Sequence, residues 1–505
     1  MIAKPFPQRP ARNDCAVDFS RWGVLPRRVA CYTAGHFRSC LGCPVTKTAF
    51  SSLPISDAMQ ANLEALGYSS MTPIQAQGLP VVLKGMDLIA QAKTGSGKTA
   101  AFGIGILEAL NPRWFGCQAL VLCPTRELAD QVAREIRRLA RATDNIKVLT
   151  LCGGMPFGPQ VGSLEHGAHV IVGTPGRVQE HLRKGTLKVE GLRQLVLDEA
   201  DRMLDMGFYD SIAEVIGQLP SKRQTLLFSA TYPESIGQLA ASFMSNPQRV
   251  VVESLHDEYQ IEQRFYEIDP RQRLEAVVKL LGHVRPASCI AFCHTRQQCQ
   301  ELLEQLQAQG IYARALHGEL EQRDRDEVLA LFANRSLSVL VATDVAARGL
   351  DIAGLEAVIN VELSRDAEIH IHRIGRSGRA GEKGLALSLV APSEASRAQA
   401  IEALQGMPLS WHELDSLSSS SQEPLLPPMM TLCISAGRKD KLRPGDILGA
   451  LTGEAGIPGT QVGKISLFES HALVAVERSI ARQALKRLID GKIKGRMLKV
   501  RLLSA

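Results

Sequence analysis

The sequence predicts an α/β protein built as two tandem parallel-sheet lobes followed by a small domain of βαββαβ order. Three observations carry this. Short apolar runs alternate with amphipathic stretches from Phe50 to about residue 412, polar text at 254–262 interrupts that series once, and a Ser- and Pro-rich stretch at 413–428 precedes a different pattern. The 505 residues, 45% hydrophobic and 22% charged with mean hydropathy −0.02, suit several ordinary cores and exclude a fibrous or wholly disordered chain. No run approaches the roughly 18 apolar residues of a membrane span and no apolar signal segment opens the chain, so the cytoplasm is expected, without membrane contact. Eleven cysteines at this size do not suggest a disulfide framework.

Each element has a local reason. Residues 1–46 hold seven Lys and Arg against two Asp and Glu without helical or strand periodicity, and are expected to be a disordered extension. Cys40 and Cys43 form a CxxC pair that Cys15, Cys31 and His36 could complete as a zinc site, but no second pair stands at finger spacing. Across 47–252, Asp87–Ala92, Ala119–Cys123, Val170–Val172, Leu195–Leu197 and Thr225–Phe228 read as buried strands. Glu127–Ala140 reads as a helix because Leu128, Val132, Ile136 and Leu139 share one face. Across 263–412, Cys289–Cys293, Val339–Ala342, Ala357–Val361 and Leu385–Val390 repeat the strand pattern. After the 413–428 linker, residues 429–505 run strand Thr431–Ser435, helix Pro444–Leu451, strands Lys464–Phe468 and Ala472–Val476, helix Ile480–Ile489 and strand Arg496–Leu502. That is the order of ferredoxin-like folds. The net charge of +6 is uneven: residues 428–505 hold fourteen Lys and Arg against six Asp and Glu, leaving the middle acidic. A basic domain on an acidic body fits a polyanion partner, with a solvated basic surface as the alternative.

Ala92-Lys-Thr-Gly-Ser-Gly-Lys-Thr99 follows a strand and opens a helical run, the setting of a phosphate-binding loop. Gly95 and Gly97 let backbone N–H groups close on phosphate, Lys98 supplies charge, and the Thr99 hydroxyl suits Mg²⁺. Asp198 and Glu199 end the strand in Leu195-Val-Leu-Asp-Glu-Ala-Asp201, where parallel sheets bind ligands. Asp198 suits Mg²⁺ and Glu199 the orientation of an attacking water. In His372-Arg-Ile-Gly-Arg-Ser-Gly-Arg379, Arg376 and Arg379 stand three apart and can reach one anion as arginine fingers.

Over residues 50–390 this text resembles the DEAD-box RNA helicases, whose motif series stands here in order. The resemblance implies RecA-like lobes using ATP and Mg²⁺. Phe50, Gly67-Tyr68 and Thr72-Pro-Ile-Gln75 are similar to the adenine-reading Q motif; Thr94, Gly95, Ser96, Gly97, Lys98 and Thr99 then hold phosphates, and Asp351 meets the ribose. Pro124-Thr-Arg-Glu-Leu128, Gly153-Gly154 and Thr174-Pro-Gly-Arg177 resemble first-lobe RNA motifs, implying contacts from Arg126, Gly153, Gly154, Thr174, Gly176 and Arg177. Ser229-Ala-Thr231 resembles the motif coupling hydrolysis to unwinding, and Arg325 and Thr343 are implied second-lobe RNA contacts.

The tail resembles the RNA-recognition-type domain of DbpA-type bacterial helicases, through Arg443-Pro-Gly-Asp-Ile-Leu-Gly-Ala-Leu-Thr-Gly453, Val462-Gly-Lys-Ile465 and Gly491-Lys-Ile-Lys-Gly495. That likeness implies a monomer that docks on a hairpin of 23S large-subunit ribosomal RNA in pre-50S particles and opens nearby duplexes. The first and third tail strands lack the usual base-stacking aromatics, which turns attention to Arg443, Lys464, Lys492 and Lys494. The alternatives are a general RNA-dependent ATPase or RNA clamp without ribosomal specificity, and a DNA helicase. Intact Lys98 and Glu199 oppose a mere clamp. The matching text begins at Val45, and a GUG codon is Val internally but Met at initiation, so the true start is expected there.

Overall fold

The structure, a computed structural model, describes residues 49–505 apart from 93–94, 233, 253–260, 348–353, 379–383, 418–423, 454–455 and 504–505. The expected extension at 1–46, its cysteine pair, the start at Val45, and the site residues Thr94, Asp351 and Arg379 lie outside the described residues.

The first lobe is a parallel sheet of seven strands: β1 Leu88–Gln91, β2 Ala119–Leu122, β3 Val148–Leu151, β4 Val170–Gly173, β5 Gln194–Asp198, β6 Gln224–Ser229 and β7 Gln248–Val251. Their order is β3-β4-β2-β5-β6-β1-β7. Side chains on the two sheet faces join separate apolar clusters, with Val121, Val172 and Val196 on one and Leu120, Ile171 and Leu195 on the other. Such two-sided burial explains why the central strands read as continuous apolar runs. The helix Arg126–Leu139 buries the predicted face, and its start is fixed by the Thr125 side chain, which accepts from the Leu128 N–H.

The second lobe repeats the plan with β8 Ile261–Glu267, β9 Cys289–Cys293, β10 Ala313–Leu316, β11 Val339–Thr343, β12 Ala357–Asn360, β13 Gly384–Val390 and β14 Trp411–His412, ordered β10-β11-β9-β12-β13-β8-β14. The polar text expected to separate the lobes ends sooner than its composition suggested, because Ile261 and Glu262 already belong to β8 and pair with β13. The described ends of the 413–428 stretch are not bare linker either. Leu417 and Leu425 are buried in the second lobe's core, and Arg285 donates to the Pro424 carbonyl.

The tail domain is an antiparallel sheet of β15 Met429–Ile434, β16 Val462–Leu467, β17 Ala472–Glu477 and β18 Val500–Leu502, ordered β16-β17-β15-β18. Helices Pro444–Thr452 and Ala481–Asp490 cover one face, giving the βαββαβ arrangement. The last strand is shorter than its apolar run because Ile493 and Arg496 close a turn before it. No helix among the described residues is long and apolar enough to cross a membrane.

Candidate active site and nucleic-acid interface

The carboxyl edge of the first sheet divides into two halves. Beyond β1, β5 and β6 stand the phosphate loop, the Asp198–Asp201 carboxylates and Ser229–Thr231. Beyond β2, β4 and β3 stand Arg126, Thr174–Arg177 and Gly153–Gly154.

On the first half, Gly97 adopts φ 91°, and a Cβ there would lie 2.5 Å from the Gln75 amide nitrogen. Gln75 is buried; it accepts from the Thr72 N–H and donates to the Gly97 carbonyl at 3.1 Å. Gln75, expected from the sequence to read adenine, thus braces the loop at Gly97. Phe50 is buried, meets Tyr68 edge-on with ring centres 6.1 Å apart, and lines a 320 Å³ cavity with Gln60, Leu63 and Gly67. Lys98 begins the helix Lys98–Ala109, and its Nζ donates to the Ala92 carbonyl at 3.0 Å, poised over the loop.

Asp198 is buried, which pushes its carboxyl up to about 6 against the attraction of Lys98. Its Oδ1 and the Ser96 hydroxyl are buried without a hydrogen-bond partner. Unpaired oxygens cost free energy that a hydrated cation would return, so the Asp198 carboxylate fits Mg²⁺ held jointly with phosphates and water, while Thr99, the other expected ligand, stands in the first turn of the helix Lys98–Ala109. Among the described residues no cluster of three or more His, Cys, Asp or Glu could hold a metal by itself.

Glu199 has φ 53°, at the corner between β5 and the helix Ala200–Asp205, and its Oε2 accepts from Arg202 Nη1 at 3.0 Å. Asp201 Oδ2 accepts from the Ala230 and Thr231 N–H groups, each at 3.0 Å, and from the Thr231 hydroxyl. Burial alone would raise Asp201; Thr231, Lys98 and Arg202 outweigh it and hold the carboxyl below its usual range. The second lobe approaches here, with Arg202 Nη2 3.5 Å from His372 Nδ1. Arg376, four residues beyond His372, is buried in the turn after the helix Ala367–Ile374.

On the other half, the helices Arg126–Leu139 and Pro175–Arg183 point their N-termini outward. Arg126 donates to the Gly153 carbonyl and keeps a buried Nη1 without a partner, while a side chain at Gly154 would collide with it. Arg177 donates to the Met155 carbonyl at 2.9 Å, and Gly153 and Gly176 leave open space. Thr343 ends β11 on the second lobe. Arg325, expected to contact RNA, forms an ion pair with Glu127 of the first lobe and donates to the Ala346 carbonyl at 2.8 Å.

In the tail, the Lys494 ammonium donates to the Lys441 carbonyl, bringing the exposed Arg443, Lys492 and Lys494 to one end of the domain. Lys464 is exposed on the edge strand β16. The sheet face away from the tail helices is covered. Leu473 and Ala475 are fully buried outside the tail's own core, and Thr431 meets Asn334 and Ser336 of the second lobe at 2.8 Å.

The comparisons with known proteins agree with this geometry. Residues 72–239 match the DEAD/DEAH box helicase family, 272–381 the helicase conserved C-terminal domain and 431–502 the DbpA RNA binding domain. The chain is 52% identical over 457 residues to the ATP-dependent RNA helicase DbpA of Escherichia coli, covering 90% of this chain and 100% of that one. The chain belongs to the DEAD-box ATP-dependent RNA helicases of the DbpA type.

Another such helicase, CshA of Geobacillus kaustophilus, is 42% identical over 70% of this chain and 76% of its own. A structure of S. cerevisiae Dbp5 bound to RNA and ADP BeF3 superposes with a TM-score of 0.67 at 30% identity, covering 73% of this chain and 96% of that one. In this helicase, sequence reasoning overlooked Arg202, His372 and Arg373. Arg373 is 2% exposed and forks onto Asp344 at 2.6 and 2.7 Å, fixing the helix Ala367–Ile374 to the end of β11.

Proposed function

We propose that the nucleotide half of the sheet edge hydrolyses ATP through Lys98, Asp198 and Glu199, with Arg376 and Arg379 supplied by the second lobe. The division of one sheet edge into a nucleotide half and a polyanion half carries this reading. Phe50, Gln75, Thr94 to Thr99 and Asp351 would hold the nucleotide. Mg²⁺, when bound, neutralises phosphate charge. Glu199 orients and accepts a proton from the attacking water, Lys98 steadies the γ-phosphate, and Arg376 and Arg379 offset charge developing on it. Arg126, Gly153, Gly154, Thr174, Gly176, Arg177 and Thr343 would track RNA phosphates and 2′-hydroxyls without reading sequence.

The tail supplies address. With its sheet face occupied by the second lobe, the exposed end carrying Arg443, Lys492 and Lys494 is left to meet a hairpin of 23S ribosomal RNA in pre-50S particles. The protein would thereby serve 50S subunit assembly as a cytoplasmic monomer. Unwinding of a short duplex joined to that hairpin, compared with the same duplex alone, tests this. Faster unwinding of the joined duplex is expected; equal rates would leave an RNA helicase without ribosomal address.

A further inference from the structure

We propose that Arg202 is a positioning residue that makes the alignment of the Glu199 carboxylate depend on the second lobe, through His372. This rests on the reading of Glu199 as the group that orients water. Glu199 is 4% exposed, so its charge needs a protein partner, and Arg202 Nη1 provides one at 3.0 Å. With the lobes together Arg202 is itself 7% exposed, so in the closed protein its second arm relies on a protein acceptor. That arm, Nη2, reaches His372 Nδ1 at 3.5 Å, between residues 170 positions apart in the chain.

A guanidinium is a rigid plane, so displacement at one edge is felt at the other. Burial and the neighbouring Arg202 push His372 down to about 4, leaving a neutral ring whose Nδ1 can accept. The acceptor is held stiffly, because the adjoining Arg373 is tied to Asp344, to the Asn360 side chain and to the Glu362 carbonyl. When the second lobe withdraws, Nη2 loses its acceptor and the plane can swing, carrying Oε2 of Glu199 with it. When the lobe returns, the carboxylate is again held from behind, with its other oxygen directed by the same plane. The base would thus be aligned only in the closed protein, a reason for hydrolysis to wait for RNA and ATP together.

The test is a double-mutant cycle in the full chain, reading kcat, the KM values for ATP and RNA, and melting temperature. Arg202→Lys keeps a positive charge near Glu199 but not the two-armed plane, and is expected to lower kcat by about 10²-fold with little change in either KM. His372→Ala should also lower kcat, the double variant should be no worse than Arg202→Lys alone, and His372→Gln, whose amide oxygen can accept from Nη2, should recover most of the rate. Additive losses, or losses confined to KM or melting temperature, would overturn the proposal. Glu199→Gln run alongside separates the two readings. Near-normal turnover there would remove the base assignment itself, whereas a dead Glu199→Gln with an additive cycle would remove only the role of Arg202.

Discussion

Gly97 shows how one residue type is imposed by its surroundings. Its φ of 91° suits glycine, and a Cβ would press within 2.5 Å of the Gln75 amide nitrogen. Gly97→Ala is expected to cost about 1–2 kcal/mol of stability and to weaken binding of a non-hydrolysable ATP analogue. Unchanged affinity in calorimetry would contradict the phosphate-loop assignment. His370 gives a second test at this scale. It is fully buried against Phe265 and 3.3 Å from Gln263, and burial, with Arg373 nearby, pushes it down to about 4. A histidine depressed in the folded state leaves the unfolded chain binding more protons, so stability falls as pH drops from about 6.5 towards 4. His370→Gln should reduce the stability lost between pH 7 and 5 by on the order of 2 kcal/mol, measured by denaturant titration at both pH values. Lys98, Asp198 and Glu199 were legible because their chemistry depends on local spacing. Arg202 and His372 were not, because nothing near either residue indicates a partner 170 positions away.

At the scale of elements, the strands missed in the sequence lie mainly at sheet edges. β3, β7, β10 and β14 are the outermost strands of the two large sheets, and β8 lies one place in. Edge strands are packed on fewer sides, so β7 is mostly exposed and β8 reads Ile-Glu-Gln-Arg-Phe-Tyr-Glu, without an apolar run. Central strands such as β9 were legible to the residue because both faces are buried. Helices couple the lobes where strands cannot. Arg325, on the helix Gln322–Ala333, pairs with Glu127 in the first turn of Arg126–Leu139. Glu127→Gln removes the charge partner of a guanidinium only 13% exposed at its side chain, and should weaken closure by about 1–3 kcal/mol. Fluorescence energy transfer between dyes on the two lobes, with RNA and an ATP analogue present, should then show a smaller closed population. An unaltered population would mean that Arg325 does not act in closure.

Over the whole molecule, the three folding units were legible from composition and order, but their docking was not. Thr431 looks in sequence like an ordinary strand threonine, yet its hydroxyl meets both Asn334 and Ser336 in the second lobe. Thr431→Val would strand those two buried groups, at a cost of about 1–3 kcal/mol, and should make cleavage at residues 424–428 faster in limited proteolysis while the tail stays folded. Unaltered cleavage would show that this contact does not hold the tail. Such docking covers the face where RNA-recognition sheets commonly stack bases and leaves the basic end outward, which is the basis for assigning the tail an addressing role. The most direct test is steady-state ATPase activity with no RNA, generic RNA and a fragment carrying the ribosomal hairpin, each with and without residues 429–505. The account predicts strong stimulation by the hairpin fragment that is lost with the tail; equal stimulation by both RNAs, tail or no tail, would contradict it.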